Sequence, residues 1–281
     1  MSNETIVDLL DQPWLRETAD TLQGPVRDSI QQFGEVKDFL HGKWLGHALH
    51  PVLTDIPVGA WTTALVLDLA GQEDAADLAV GLGLAGALAS AVTGITDWSE
   101  TDGPGKSIGL LHGLLNVAAT GFYTASLIAR RGNSRKQGIA LSLAGYAIAS
   151  ASAYLGGHLV FGEQIGVDHT ATPDRGQPEK FTPVIRDDEL KERKPVRVDV
   201  GDTAVLLVRI DGEVYALANT CTHLGGPLNE GPLEGDSIRC PWHGSRFCLT
   251  DGAVLDGPAV YDERVFDVRV RNGQIEVRGR Q

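Results

Sequence analysis

Four side chains toward the C-terminus have the types and spacing to hold iron. Cys221 and His223 form a Cys-x-His pair, and sixteen residues further on Cys240 and His243 form a Cys-x-x-His pair. Two metal centres use this donor set. One is a structural zinc ion with two thiolate and two imidazole ligands. The other is a [2Fe–2S] cluster, with two thiolates on one iron and two imidazoles on the other. Neutral rings in place of thiolates reduce the negative charge around the irons and raise the potential, and such a centre moves single electrons. The chain has three cysteines, so a disulfide framework would rob this site. Cys248, the third, reads as a small packed residue. This cysteine usage favours a reducing compartment.

The residues around the ligands add to the pattern. Gly225, Gly226 and Pro227 follow the first pair, Gly244 and Ser245 follow the second, and Gly257-Pro258 fits a third loop beside them. Together they resemble the Rieske [2Fe–2S] family across roughly the last 100 residues. The resemblance implies a cluster on Cys221, His223, Cys240 and His243, with both histidines at an exposed tip. It also implies that the Ser245 hydroxyl hydrogen-bonds a cluster sulfide. Phe247 stands where higher-potential members carry a tyrosine hydroxyl. One donor kept and one lost implies an intermediate potential, since hydrogen bonds to sulfur raise it. Gly226 and Trp242 stand where respiratory members place two disulfide cysteines. The chain is therefore similar to the ferredoxin and oxygenase-associated members.

Positioning these ligands falls to short β-type runs at 195–200, 204–210, 213–218, 237–239, 264–271 and 274–278. Asp211-Gly212, Asp251-Gly252 and Asn272-Gly273 punctuate them as turns. A small all-β domain is expected over 181–281. Residues 163–180, rich in Gly, Pro, Asp and Thr, read as a linker before it.

The region upstream has another composition. Segments 78–96, 107–129 and 137–162 contain no charged residue, and each approaches or exceeds the ~20 residues a membrane-spanning helix needs. A first segment, 51–70, is weaker because it contains Asp55, Asp68, Pro51 and Pro57. Small residues recur every four positions, as at Ala79, Gly83, Ala87 and Ala91, at Gly86, Ser90 and Gly94, and at Gly145, Ala149, Ala153 and Gly157. Such stripes let helices approach closely in lipid. The expectation is a multidomain chain: a four-helix transmembrane bundle over 47–162, then the all-β domain. Residues 1–46 read as an amphipathic helical region, with Phe33, Val36, Phe39, Leu40 and Trp44 near one face. No positively charged stretch followed by an apolar core marks a cleavable signal peptide at the start.

The apolar region also carries His47, His50, His112 and His158. In an up-down-up-down bundle these fall at similar depth on one membrane face, with Asp97 and Asn116. Ionisable residues within membrane helices are costly and mark function. Imidazoles from facing helices suit axial ligation of haem iron. A haem b, another metal or a quinone pocket, and histidines that only hydrogen-bond between helices all remain open. His47-Ala-Leu-His50-Pro51 with Asp55, and Gly156-Gly157-His158-Leu159-Val160, resemble the DUF2231 family of four-helix membrane proteins over about residues 40–165. That resemblance implies a membrane domain beside a redox module and fixes no cofactor.

Together these features lead to a multi-pass cell-membrane protein that carries electrons and is not itself a catalyst. Electrons would pass between the [2Fe–2S] cluster and a haem b, quinone or metal at the histidine-rich face. Two other roles are open: a redox-sensing or assembly module anchored by its helices, and an electron-donating subunit for a separate oxygenase. Partners would be redox proteins or a quinone. The net charge of −13 excludes the basic footprint of nonspecific nucleic-acid binding. Arg130, Arg131, Arg135 and Lys136 crowd one inter-helix loop, which places that loop and, against it, the lysines Lys37, Lys43 and Lys106 in competition for the cytoplasm. The lost disulfide positions tip the expectation toward a cytoplasmic β domain. Nothing in the sequence sets the oligomeric state.

Overall fold

The computed structural model describes residues 12–132, 134–171 and 177–280. The chain divides into two compact units. One runs to His41 and from Ala48 to Ile165; the other comprises Gly42–His47 and the chain from Gly166 onward.

Among the described residues, six α-helices make the first unit: α1 (Pro13–Gln31), α2 (Gly34–His41), α3 (Leu49–Leu69), α4 (Glu73–Trp98), α5 (Gly103–Arg131) and α6 (Arg135–Phe161). Helices α3 to α6 form a ring in chain order, each packed on its neighbours, so α3 lies diagonally opposite α5 and α4 opposite α6. Glu73 and Asp74 open α4, and Arg130 and Arg131 close α5, each sign matching the helix dipole at its end. Between the helices lie Trp61, Ala64, Val80 and Tyr123. Outward-pointing residues are apolar as well: Leu69, Leu78, Val117, Ile128 and Phe161 are all well exposed. A helix apolar on both sides is what a hydrocarbon solvent requires.

Three of the four long helices are long and apolar enough to cross a membrane: α3, α4 and α6, with mean hydropathies of 1.3, 1.9 and 1.4. This reverses part of the expectation, which ranked the segment in α3 as weakest and that in α5 among the strongest. The reason lies on the inner side of α5, where Ser107, His112, Asn116 and Ser126 replace aliphatic side chains and make hydrogen bonds within the bundle. The described part of the segment before α3 is largely helical, and residues 1–11 of the expected amphipathic region lie outside the described residues. It also contains α1, anchored by buried Gln23, whose amide donates to the carbonyls of Trp98 at 2.9 Å and Thr101 at 2.8 Å. Phe33, Val36, Phe39 and Trp44 remain exposed, as an interfacial stripe would be.

The second unit is all β. Its strands are β1 (Thr182–Arg186), β2 (Val196–Val200), β3 (Thr203–Ile210), β4 (Glu213–Ala218), β5 (Leu233–Glu234), β6 (Ser237–Arg239), β7 (Arg246–Cys248), β8 (Val254–Asp256), β9 (Phe266–Arg271) and β10 (Gln274–Gly279). They form three antiparallel sheets with orders β1-β10-β9, β2-β3-β4 and β5-β6-β7-β8. Strand β3 is central. Val205 and Leu207 enter one core with Phe266, Ile275 and Val277. Leu206, Val208 and Ile210 enter a second core with Leu217, Leu228, Ile238 and Phe247. Alternation along a strand sends successive side chains to opposite faces, so β3 reads as continuously apolar and joins both cores. Asp211-Gly212 and Asn272-Gly273 have positive φ at both positions, the geometry of tight hairpin turns.

Part of the segment expected to be a linker, 172–176, lies outside the described residues. The described part is bound to the β unit: His169 N–H donates to Thr222 O at 3.1 Å, and Gly279 N–H donates to Pro178 O at 2.9 Å.

Candidate metal centre

The small sheet β5–β8 and the end of β4 support two loops. Cys221 and His223 lie in the loop after β4, and Cys240 and His243 in the loop between β6 and β7. The loops share one plan. Cys221 N–H donates to Gly226 O at 2.9 Å, and Cys221 O accepts from Gly225 N–H at 2.9 Å. Cys240 N–H donates to Ser245 O at 2.7 Å, and Cys240 O accepts from Gly244 N–H at 3.1 Å. Closing each turn needs a left-handed residue four positions after the cysteine, and Gly225 and Gly244 supply it with φ of 79° and 78°.

The loops bring the four predicted ligands together. Cys221, Cys240 and His243 are buried, and the His223 and His243 ring centroids are 5.0 Å apart at 81°. The two thiols hydrogen-bond each other. That bond and burial push the Cys221 thiol well up, while the bond from Cys221 brings Cys240 down to about 7. Two thiols forced together in an apolar setting exchange their shared proton readily for a metal. A Cβ at Gly226 would lie 2.7 Å from the Cys240 sulfur and 3.1 Å from the Trp242 ring. Glycine there keeps the space beside the sulfur open.

A third loop, 255–263, closes the site. Ala259 N–H donates to the Ser245 hydroxyl oxygen at 2.9 Å. That oxygen accepts, so its own hydrogen is left to donate elsewhere. Thr222 Oγ1 donates to Tyr261 O at 2.8 Å, and Thr222 N–H donates to Glu263 Oε1 at 2.8 Å. Glu263 is a functional-site residue that sequence reasoning missed. It is 3 % exposed, and burial pushes its carboxyl well above the usual range. Its position among exposed polar residues gave no signal; only the fold buries it. Gly252 anchors the same loop: its φ is 77°, and a Cβ would lie 2.0 Å from the Glu263 carbonyl oxygen. Gly252→Ala is expected to cost roughly 2 kcal/mol or more, since strain and a backbone clash add. A thermal or denaturant melt of the β unit checks this.

Residues 180–268 match the Rieske [2Fe-2S] domain, and residues 46–169 match DUF2231, a predicted membrane protein family. Ferredoxin CarAc from Metapseudomonas resinovorans is 38 % identical over 80 residues, covering 28 % of this chain and 75 % of that protein. The chain belongs to the Rieske [2Fe–2S] family. A ferredoxin component of naphthalene 1,2-dioxygenase/salicylate 5-hydroxylase systems from Ralstonia sp is 34 % identical over 88 residues, covering 31 % of this Rieske chain and 85 % of that protein. Apoptosis-inducing factor 3 of Mus musculus is 34 % identical over 90 residues, 32 % of this chain, and the match spans only 15 % of that protein's length. The Rieske protein carries a DUF2231 domain N-terminal to its cluster domain. The family implies a [2Fe–2S] cluster, and the donors present fit it in kind and number.

The Rieske protein's other histidines are not gathered as the sequence suggested. His50 and His112 meet, with ring centroids 6.4 Å apart at 89°. His50 Nδ1 lies 2.9 Å from Ser90 O. His112 Nδ1 lies 2.8 Å from Ser152 O, and Asn116 Nδ2 donates to His112 Nε2 at 3.1 Å. His158 Nε2 instead lies 3.4 Å from Glu163. His47 is exposed and belongs to the segment Gly42–His47, which groups with the β unit. Asp97 pairs with buried His41 at 3.0 Å, a histidine that sequence reasoning passed over because it lies before the apolar segments.

Proposed function

We propose that this protein is a membrane-anchored one-electron carrier, in which Cys221 and Cys240 hold one iron of the [2Fe–2S] cluster and His223 and His243 hold the other. The carrying observation is the convergence of two thiols and two imidazoles on loops of one design at one end of the β unit. Among the described residues, no three His, Cys, Asp or Glu side chains close on a single ion. The two pairs supply two thiolates and two imidazoles on paired loops, the donor set of a two-iron group. When bound, a histidine-ligated cluster takes up and releases one electron at a time.

The chain's own residues orient and tune that group. Glu263 and Tyr261 fix Thr222 between the first two ligands. Ser245, held by Ala259 N–H, directs its hydroxyl hydrogen to a cluster sulfide. Ser245→Ala is expected to lower the midpoint potential by about 60 mV, the one-electron equivalent of a hydrogen bond contributing about 1.4 kcal/mol. Redox titration followed by EPR reads this, and an unchanged or higher potential contradicts it.

The helical unit fixes the carrier to the cell membrane. Its partner is a redox protein, and relatedness to dioxygenase ferredoxin components supports an oxygenase-type acceptor. Relay to a haem b, a quinone or another metal at the His50–His112 pair is the finer reading, supported by two imidazoles meeting within an apolar bundle. The same reading puts the β domain on the cytoplasmic side, supported by the absence of the two disulfide cysteines at Gly226 and Trp242. Arg130 and Arg135, which argued for the opposite loop, are held in ion pairs with Asp68 and Asp77 within the bundle. Anchoring predicts that the reduced-cluster EPR signal sediments with membranes and resists a high-salt wash. A C-terminal reporter active only outside the cell would overturn the sidedness.

A further inference from the structure

The membrane unit is two copies of one helical hairpin, and the copies are related by a twofold axis along the bundle. Adding 62 to a residue number (112 minus 50) carries the first hairpin onto the second: α3 ends at Leu69 and α5 at Arg131, and α4 begins at Glu73 and α6 at Arg135. Local contacts repeat at the same offset. The His50 ring occupies the space of a Cβ on Gly94, as the His112 ring does on Gly156; Trp61 does so on Gly83, as Tyr123 does on Gly145. His50 Nδ1 meets Ser90 O, and His112 Nδ1 meets Ser152 O.

Equivalent residues also touch each other. His50 faces His112 at 6.4 Å, and Trp61 stacks on Tyr123 at 4.0 Å and 9°. Asp68 pairs with Arg130, and Glu73 lies 3.4 Å from Arg135. A residue meets its own equivalent only at a twofold axis. The first three pairs follow one another along α3 and α5 and the fourth joins the starts of α4 and α6, so the axis runs parallel to the helices. Both hairpins enter in the same direction, the arrangement of a parallel repeat.

We infer that the axis carries one haem iron, bound by His50 and His112 as its two axial ligands. Each Nδ1 faces a backbone carbonyl, which can only accept, so each Nδ1 carries the hydrogen and each Nε2 offers a lone pair. That is the arrangement of metal-binding histidines, with the second nitrogen held by a carbonyl. No third His, Cys, Asp or Glu among the described residues closes on the pair. A porphyrin supplies four nitrogens and asks the protein for two, the number this pair offers. The Asn116 amide on His112 Nε2 must turn aside when iron binds. His158, engaged with Glu163, and His47 are not ligands. The inference deepens the relay reading and rests on it for the electron's destination.

The test is the optical spectrum of the full chain, purified in detergent from haem-producing cells, alongside its cluster EPR signal. The expected result is about one haem per chain with low-spin bands. His50→Ala and His112→Ala should each lower haem content at least ten-fold with the cluster signal retained, and His158→Ala should keep both. Because alanine could disturb folding, His50→Met, which retains an axial ligand, should keep the haem and shift its bands. A protein with a cluster signal and no haem overturns the inference alone, as do bands that survive both alanine variants. Haem without a cluster signal would instead overturn the carrier reading.

Discussion

Replacing His243 by alanine is expected to abolish the EPR signal of the reduced [2Fe–2S] cluster while the protein stays in the membrane. His243 is 8 % exposed and its ring lies 5.0 Å from that of His223. Removing it leaves one iron a ligand short inside a buried site. Residual signal below about a tenth of wild type corresponds to a loss of at least about 1.4 kcal/mol in cluster binding, and a missing ligand bond exceeds that. The helical unit forms its own core, so membrane content should not change. His158→Ala is the control: its ring lies 3.4 Å from Glu163 within the helical unit and its loss should leave the cluster signal intact. Equal loss in both variants would mean that the signal reports general misfolding.

Asp68→Ala is expected to destabilise the helical unit by about 3–5 kcal/mol, the usual cost of breaking a buried ion pair. The Arg130 side chain is fully buried and Asp68 is 4 % exposed. Arg130 also reaches Asp77 at 3.1 Å and Ser126 Oγ at 3.0 Å, and Arg135 lies 3.3 Å from Asp68. One charge cluster thus ties α3, α4, α5 and α6 together at the end away from the dihistidine pair. Without Asp68 the Arg130 guanidinium keeps only the Asp77 carboxylate, which it shares with Arg135. Because positions 68 and 130 are equivalent about the axis, Asp68→Arg combined with Arg130→Asp should recover much of the loss. Melting in detergent, read by far-UV circular dichroism, measures both. A double variant no better than the single ones would show that the surroundings, and not the pairing, set the charge order.

The ligand set was readable because a metal site is local in sequence. Cys221 to His223 and Cys240 to His243 are short spans, and the glycines that close their turns sit at fixed offsets. Strands β2, β3, β4, β6, β9 and β10 were readable from runs and turns. Strands β1, β5, β7 and β8 were not, since they are short or polar and exist through pairing with neighbours. Glu263 escaped because its importance comes from burial alone. The bundle's repeat is present in the sequence at an offset of 62, but aligned Gly, Ala and Ser are common in membrane helices and carry little signal. The pairing of Trp61 with Tyr123, or of Asp68 with Arg130, shows it only when the contact is seen. Arg130 taught the opposite lesson: counted as a loop charge from sequence, it is buried and neutralised.

Pulsed EPR of the dithionite-reduced full chain tests the central claim most directly, because it counts nitrogens bound to the reduced iron. The account predicts strong coupling to two imidazole nitrogens, both lost together with the cluster in His243→Ala. An EPR-silent protein holding zinc, or a cluster without coupled nitrogen, would contradict it.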